Sequence, residues 1–295
     1  MRLVKLLTAA LSLILTLQSS QTLKAQIKNQ WLAKTALFPA KPFDYREAQF
    51  SGSLYVLHTP DGWPNRMFAN YSAGINRSIY RWNATSEKPG ELGVEIATFT
   101  QFIFEDPLNW FQVNHFNTEY KVGIHYNWKT SDSWAFRTRL YHISAHLGDD
   151  FIYRYFINSY LPNPRIYEVI DISAAIIRSH YTFYGTFGVI PHSAYERKRI
   201  LVDAGAKWQK AINSKDWLRW IGAVHMQFEQ ETNFYPGTRI AAGIEIGKEG
   251  IAPFTIMLDV FHGYIPFSLF DKARITWIGG SMSFQPLNFK FSSEF

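Results

Sequence analysis

The chain has 295 residues, of which 47% are hydrophobic and 17% aromatic, with no cysteine and a formal net charge of +6. The lack of cysteine rules out a disulfide framework and a lipobox, and no uncharged apolar run after the leader is long enough for a transmembrane helix. No basic patch is interleaved with stacking aromatics, so the composition gives no support for a nucleic-acid partner.

Residues 1–25 read as a secretory signal. Arg2 and Lys5 make a basic start, Leu6 to Leu17 an apolar run too short to span a bilayer comfortably, and Leu23-Lys24-Ala25 a cleavage region. The cut is expected after Ala25, with a retained anchor as the alternative. Part of the positive charge belongs to this leader, which holds three cations and no acid. Residues 26–47 show no period and contain prolines. They are expected to form a periplasmic N-terminal segment, and 48–295 an outer-membrane β-barrel.

From residue 48 on, apolar and polar side chains alternate with the period of two that puts one strand face in lipid and the other in a lumen. The expected strands run, in order, over 49–57, 68–80, 91–104, 116–128, 134–147, 165–178, 181–189, 199–210, 217–229, 238–247, 254–262 and 274–284. The clearest is 116–128. There Phe116, Tyr120, Val122, Ile124, Tyr126 and Trp128 share a face, opposite Asn117, Glu119, Lys121, His125 and Asn127.

This is a barrel of about twelve antiparallel strands, an even number as bacterial barrels require. Short connections such as 129–133 and 211–216 alternate with longer ones such as 105–115 and 148–163. The short turns are expected in the periplasm and the long loops outside. Trp82, Trp128, Trp134, Trp208 and Trp217 flank the short turns, as an interfacial aromatic girdle does. A soluble β-sandwich would need polar outward faces, and these are aromatic. The inward faces carry both signs of charge, among them Glu119, Lys121, Arg137, Arg139, Asp171, Asp203, Arg219, Glu229, Arg239 and Asp259. They are expected to pair across the lumen and plug it.

The stretch Trp134 to Asp150 carries the candidate chemistry. Trp134, Phe136, Thr138 and Leu140 lie on its lipid face, and that face ends in His142, Ser144 and His146. On the next strand Glu168 shares the lipid face with Ile170 and Ile172. His142, Ser144 and Glu168 can therefore form a triad of base, nucleophile and orienting acid, with a loop residue such as Asn158 as the alternative third member. The plain alternative is that strand ends rise into the headgroup zone, where polar residues are ordinary. His142 and His146 do not make a metal pair, since i and i+4 on a strand lie about 13 Å apart. Asp149 and Asp150 are the only calcium candidate, against a reading as solvated acids. His125 and His225 face the lumen as interior histidines.

Two resemblances follow. The segment RLYHISAHLGDDFIYR (139–154) resembles the most recognisable stretch of the domain-of-unknown-function family 1207, predicted bacterial outer-membrane proteins. HGYIPFSLFDKARITWIGGSMSF (262–284) is similar to its closing segment, although Ser268 and Leu269 stand where the family tends to have Gly and Gln. TALFPAKPFDYREAQFSGS is similar to its leader. Membership implies the barrel and supplies no activity. The His142-x-Ser144 pair also resembles that of outer-membrane phospholipase A and of the lipid A deacylase, each of which carries such a pair on the outer wall of a barrel. The residue after the serine is Asn in that pattern and Ala145 here.

That resemblance implies a lipid-facing serine esterase acting on phospholipid or lipid A acyl chains, with Ser144 attacking, His142 as base and Glu168 orienting it. The alternatives are a non-enzymatic plugged structural barrel and a narrow transport barrel. No cofactor is expected apart from the calcium candidate. The expected partners are outer-membrane lipids and, through the terminal Phe295, the barrel-insertion machinery. The oligomeric state stays open.

Overall fold

A computed structural model of the chain describes residues 28–41, 43–58, 66–104, 113–154, 165–212, 217–247, 253–266, 269 and 271–284. The expected signal, the tail from 285 and parts of several loops, Asn158 among them, lie outside these.

A two-residue strand, β1 (Gln30–Trp31), precedes twelve long ones. These are β2 (Phe50–His58), β3 (Arg66–Trp82), β4 (Gly90–Phe104), β5 (Val113–Ser131), β6 (Trp134–Leu147), β7 (Ile166–Arg178), β8 (Tyr181–Ser193), β9 (Ile200–Ala211), β10 (Leu218–Glu229), β11 (Gly237–Ile246), β12 (Phe254–Tyr264) and β13 (Arg274–Phe284). Each pairs antiparallel with the next. β13 returns to β2, Trp277 opposite Leu57 and Phe284 opposite Phe50. Closure removes both sheet edges. The barrel is the one the alternation predicts, with strand ends shifted by a few residues.

The period of two sorts the side chains as expected. Val56, Ile96, Val122, Ile172, Phe187, Leu258 and Ile278 project outward and are exposed. Their partners along the same strands turn inward and are buried. At the short-turn end, the rings of Trp82, Tyr126, Trp128, Phe136 and Trp134 touch in series across β3 to β6. Three of the five tryptophans of the expected girdle lie in this series, which is built by ring contacts along and across the strands.

The lumen differs from the expectation in what fills it. The segment 26–47 was to lie on the periplasmic side. Instead Ala33, Leu37, Phe38, Lys41, Phe43, Asp44, Tyr45 and Glu47 are buried inside the barrel. β1 first docks on the free edge of β3, Trp31 opposite Tyr80, beyond the point where β2 begins. The chain then rises along the axis, turns through bonds from Asp44 N–H to Lys41 C=O (3.0 Å) and from Glu47 N–H to Asp44 C=O (3.1 Å), and descends into β2. Tyr45 packs edge-on to Phe261 and Trp277 near the long-connection end, at 5.5 and 5.3 Å between centroids. Where the segment leaves, Gly74 leaves room for it: a Cβ there would lie 2.9 Å from Gln49 N and 3.0 Å from Ala48 Cα.

Most inward charges pair with near neighbours, while the buried Arg165, just before β7, does reach across the lumen, to Glu229 and Asp271. Arg139 meets Asp171 at 2.7 Å from the adjacent strand, Arg219 meets Glu245 at 2.7 Å, and Arg239 meets Asp259 at 2.8 Å. Opposed residues on antiparallel neighbours are within about 5 Å, a span that the far wall of a twelve-stranded barrel exceeds. Lys121 likewise meets Glu95 on the adjacent strand at 2.9 Å, and other wall charges reach the plug. Arg137 holds Glu47 through two bonds of 3.0 and 3.1 Å. Lys41 bridges Asp44 and Asp203, and Arg46 bridges Glu119 and Glu229. Each ion costs several kcal/mol to desolvate, so only this close pairing makes the charged interior tolerable. His225 is held by Tyr184 at 3.0 Å, as an interior histidine should be. His125 is not: it is buried and its ring nitrogens have no hydrogen-bond partner among the described residues.

Candidate active site on the outer wall

β6 and β7 bring the three expected residues to one outward patch near the long-connection end. His142 stands directly opposite Glu168 in the register, and Ser144 opposite Ile166. His142 Nδ1 lies 3.0 Å from Glu168 Oε1. The side chains expected as base and orienting acid are therefore hydrogen-bonded to each other, through Nδ1 of His142.

The nucleophile half differs. Ser144 Oγ is 3.0 Å from Nε2 of His146, two residues on along the same face. No hydrogen bond joins it to His142 among the described residues. His142 and His146 flank Ser144 symmetrically at i−2 and i+2 on the same face, and the hydroxyl is turned to His146. The symmetric spacing was visible in the sequence. What it could not give was the side-chain rotamer.

A fifth residue joins the patch. His192 Nδ1 lies 2.6 Å from Glu168 Oε2, so the carboxylate bridges two imidazoles. The register explains its arrival. Ile170 pairs with Val189 and Glu168 with His192, so β8 spends three residues where β7 spends two. This one-residue bulge contains Pro191, which has no N–H to give the ladder. Without the bulge His192 would turn into the lumen. Pro191 was the only sequence signal for it.

The polar atoms are thus tied to one another, which is how ionisable groups persist on a lipid-facing wall. The carboxylate is about one-third exposed and His142 somewhat more, so a substrate has access. The main chain beside Ser144 offers no oxyanion donor at Ala145, whose N–H is bound to Arg165 C=O at 2.8 Å. Asp149 and Asp150 open a short helix, α1 (Asp149–Arg154), where acids suit the N-terminal dipole, and Asp150 accepts from His115 N–H. Among the described residues no three His, Asp or Glu side chains converge as a metal site.

A closed twelve-stranded barrel, apolar outside and filled with ion pairs inside, is an outer-membrane β-barrel. The chain belongs to the DUF1207 family, described as a protein of unknown function, whose model matches residues 16–285. Among curated proteins none matches the sequence. Solved structures share the fold. The outer membrane phospholipase of Salmonella typhi, a dimer with bound calcium, matches with a TM-score of 0.55 at 8% identity, over 82% of this chain and 92% of that one. Outer membrane phospholipase A of Escherichia coli matches with a TM-score of 0.54 at 9% identity, over 85% and 93%. At such identity the likeness is one of fold.

Proposed function

We propose that this barrel is a lipid-facing serine esterase that cleaves acyl chains from phospholipid or lipid A. One observation carries the reading: a serine hydroxyl bonded to an imidazole sits beside a second, carboxylate-bound imidazole, on the outward face where acyl esters of the membrane pass. Ser144 Oγ attacks the ester carbonyl while its proton moves to an imidazole Nε2. The ester C–O bond then breaks, the leaving alcohol takes that proton, and water releases the acyl group from Ser144 by the same route in reverse. His142 is the favoured base because Glu168 fixes its ring through Nδ1, as an orienting acid does. The two fold neighbours named above as phospholipases support the substrate class.

The test is lipid mass spectrometry of cells expressing wild type or Ser144→Ala. Lysophospholipid or under-acylated lipid A that depends on Ser144 is the expected result. An unchanged profile would favour the second reading, a plugged structural barrel. The ion pairs that fix residues 33–49 in the lumen favour that reading, and they argue against a transport path.

A further inference from the structure

The far side of the barrel carries a second polar cluster at the same end. His262 on β12 stands opposite Thr276 on β13, and Tyr264 opposite Arg274. Thr276 in turn stands opposite His58 on β2. Five and six strands along the wall from β7, these residues share nothing with the Ser144 patch.

The cluster is a connected structure. His262 Nδ1 lies 2.8 Å from Thr276 Oγ1, and its Nε2 lies 2.9 Å from Tyr235 OH. The Arg274 guanidinium sits over the Tyr235 ring, 5.9 Å from its centroid, and Tyr264 packs edge-on to the same ring at 5.5 Å. Tyr235 is presented by a tight turn in which Asn233 and Phe234 both adopt the left-handed conformation, φ 52° and 57°. Bonds from Phe234 N–H to Glu229 C=O and from Tyr235 N–H to Thr232 C=O close that turn. Phe234 is left exposed beside it.

The charge pattern is the opposite of the lumen's. There nearly every arginine meets a carboxylate. Arg274 is exposed and forms no ion pair among the described residues, and the neighbouring acids are engaged elsewhere, Glu231 by Lys272 and Asp271 by Arg197. A planar cation held over an aromatic face, next to hydroxyls ordered by an imidazole, suits a phosphate oxygen. With a proton on Nε2, His262 donates to Tyr235 OH and leaves the phenolic hydrogen free to donate outward. We infer that Arg274, His262 and Tyr235 bind the phosphate of a lipid headgroup. The outward aspect of the cluster and the exposed Phe234 choose lipid over a soluble anion.

Native mass spectrometry of the full chain in a neutral detergent tests this with three probes: phosphatidic acid, a phosphate-free diacyl glucoside and inorganic phosphate. Phosphatidic acid should be retained selectively, and Arg274→Gln should weaken it about tenfold, the loss of one charge-assisted contact. Tyr235→Phe, which keeps the ring, should weaken it less, and Arg274→Lys should restore part of the loss. Heat-modifiable migration checks that each variant is folded. Equal retention by wild type, Arg274→Gln and Tyr235→Phe would overturn the assignment. So would equal retention of the glucoside, which would mark apolar adhesion, or tighter binding of inorganic phosphate, which would mark a soluble-anion site.

Discussion

The lumen and the outer wall treat the same residue types in opposite ways. Inside, Arg, Lys, Asp and Glu are buried and matched in pairs, and a segment of the chain itself supplies Lys41, Arg46 and Glu47 to complete the matching. Outside, polar groups are few, and their clusters lie at the strand ends near the long connections. They are mostly histidines and hydroxyls in short hydrogen-bonded chains with solvent-facing edges left over. Pairing of the first kind locks a structure, because removing one partner strands a buried charge. Arrangement of the second kind stabilises little and leaves atoms free to react or bind. The inside of this barrel is therefore where stability is to be measured, and the outside is where activity is to be sought.

The sharpest break of that contrast is Ser144→Ala. Acyl release from phosphatidylethanolamine in mixed micelles should fall by about 10⁴-fold or more, the usual cost of losing a nucleophile. Heat-modifiable migration should not change, since the serine is half-buried on the outward face. Loss of the folded form together with activity would mean that the outer patch is structural after all.

The next largest effect separates the two imidazoles. If His142 is the base, His142→Ala should cost about 10³-fold, within the usual range for general-base catalysis. His146→Ala should cost about tenfold, because it removes only the resting partner of Ser144. The reverse order would transfer the base role to His146 and leave the His142–Glu168–His192 chain a structural tie. Steady-state rates for the two variants suffice to decide.

How much of this was legible in the sequence follows the same division. The strands were legible because alternation is a local pattern, and the outward face of Trp134 to His146 followed from it. So did the placement of Glu168 on the lipid face of the adjacent strand, although not its register opposite His142. The plug was not legible. Residues 33–49 have no period, and Lys41, Asp44, Arg46 and Glu47 look like solvated charges until partners such as Glu119, Arg137, Asp203 and Glu229, on four different strands, are known. His192 was hidden by the bulge at Pro191, which inverts the face that strict alternation assigns. That the Ser144 hydroxyl turns to His146 is a matter of side-chain rotamer, which strand spacing does not encode.

On the inside, Arg137→Ala should destabilise the folded barrel by about 3 kcal/mol, because Glu47 is left buried with only the more distant Arg139. Urea unfolding in detergent followed by tryptophan fluorescence would measure it, and esterase activity at low urea should stay near wild type. A neutral result would mean that the plug is not held by this pair.

The smallest effect concerns Glu47 and acid. Burial alone would raise its carboxyl, but the Arg137 and Arg139 guanidiniums outweigh burial and bring it from 4.5 to about 2. A carboxylate with a depressed folded value contributes stability that is complete above its unfolded value and is lost as pH falls through the folded one. The window is therefore between about pH 4.5 and 2, and about 2 kcal/mol of the contribution should be gone by pH 3. Other carboxylates titrate in the same range, so wild type alone is uninformative. The useful quantity is the difference between wild type and Glu47→Gln, which keeps the shape and removes the titration. Wild type should be the more stable at pH 7, and the gap should narrow steadily from pH 4.5 downward. A gap that is the same at pH 7 and pH 3 would show that Glu47 is held by packing around Phe43 and Tyr45 rather than by charge. The plug would then be apolar in its energetics despite its ion pairs, and the division between a charge-locked inside and a reactive outside would hold only for the outside.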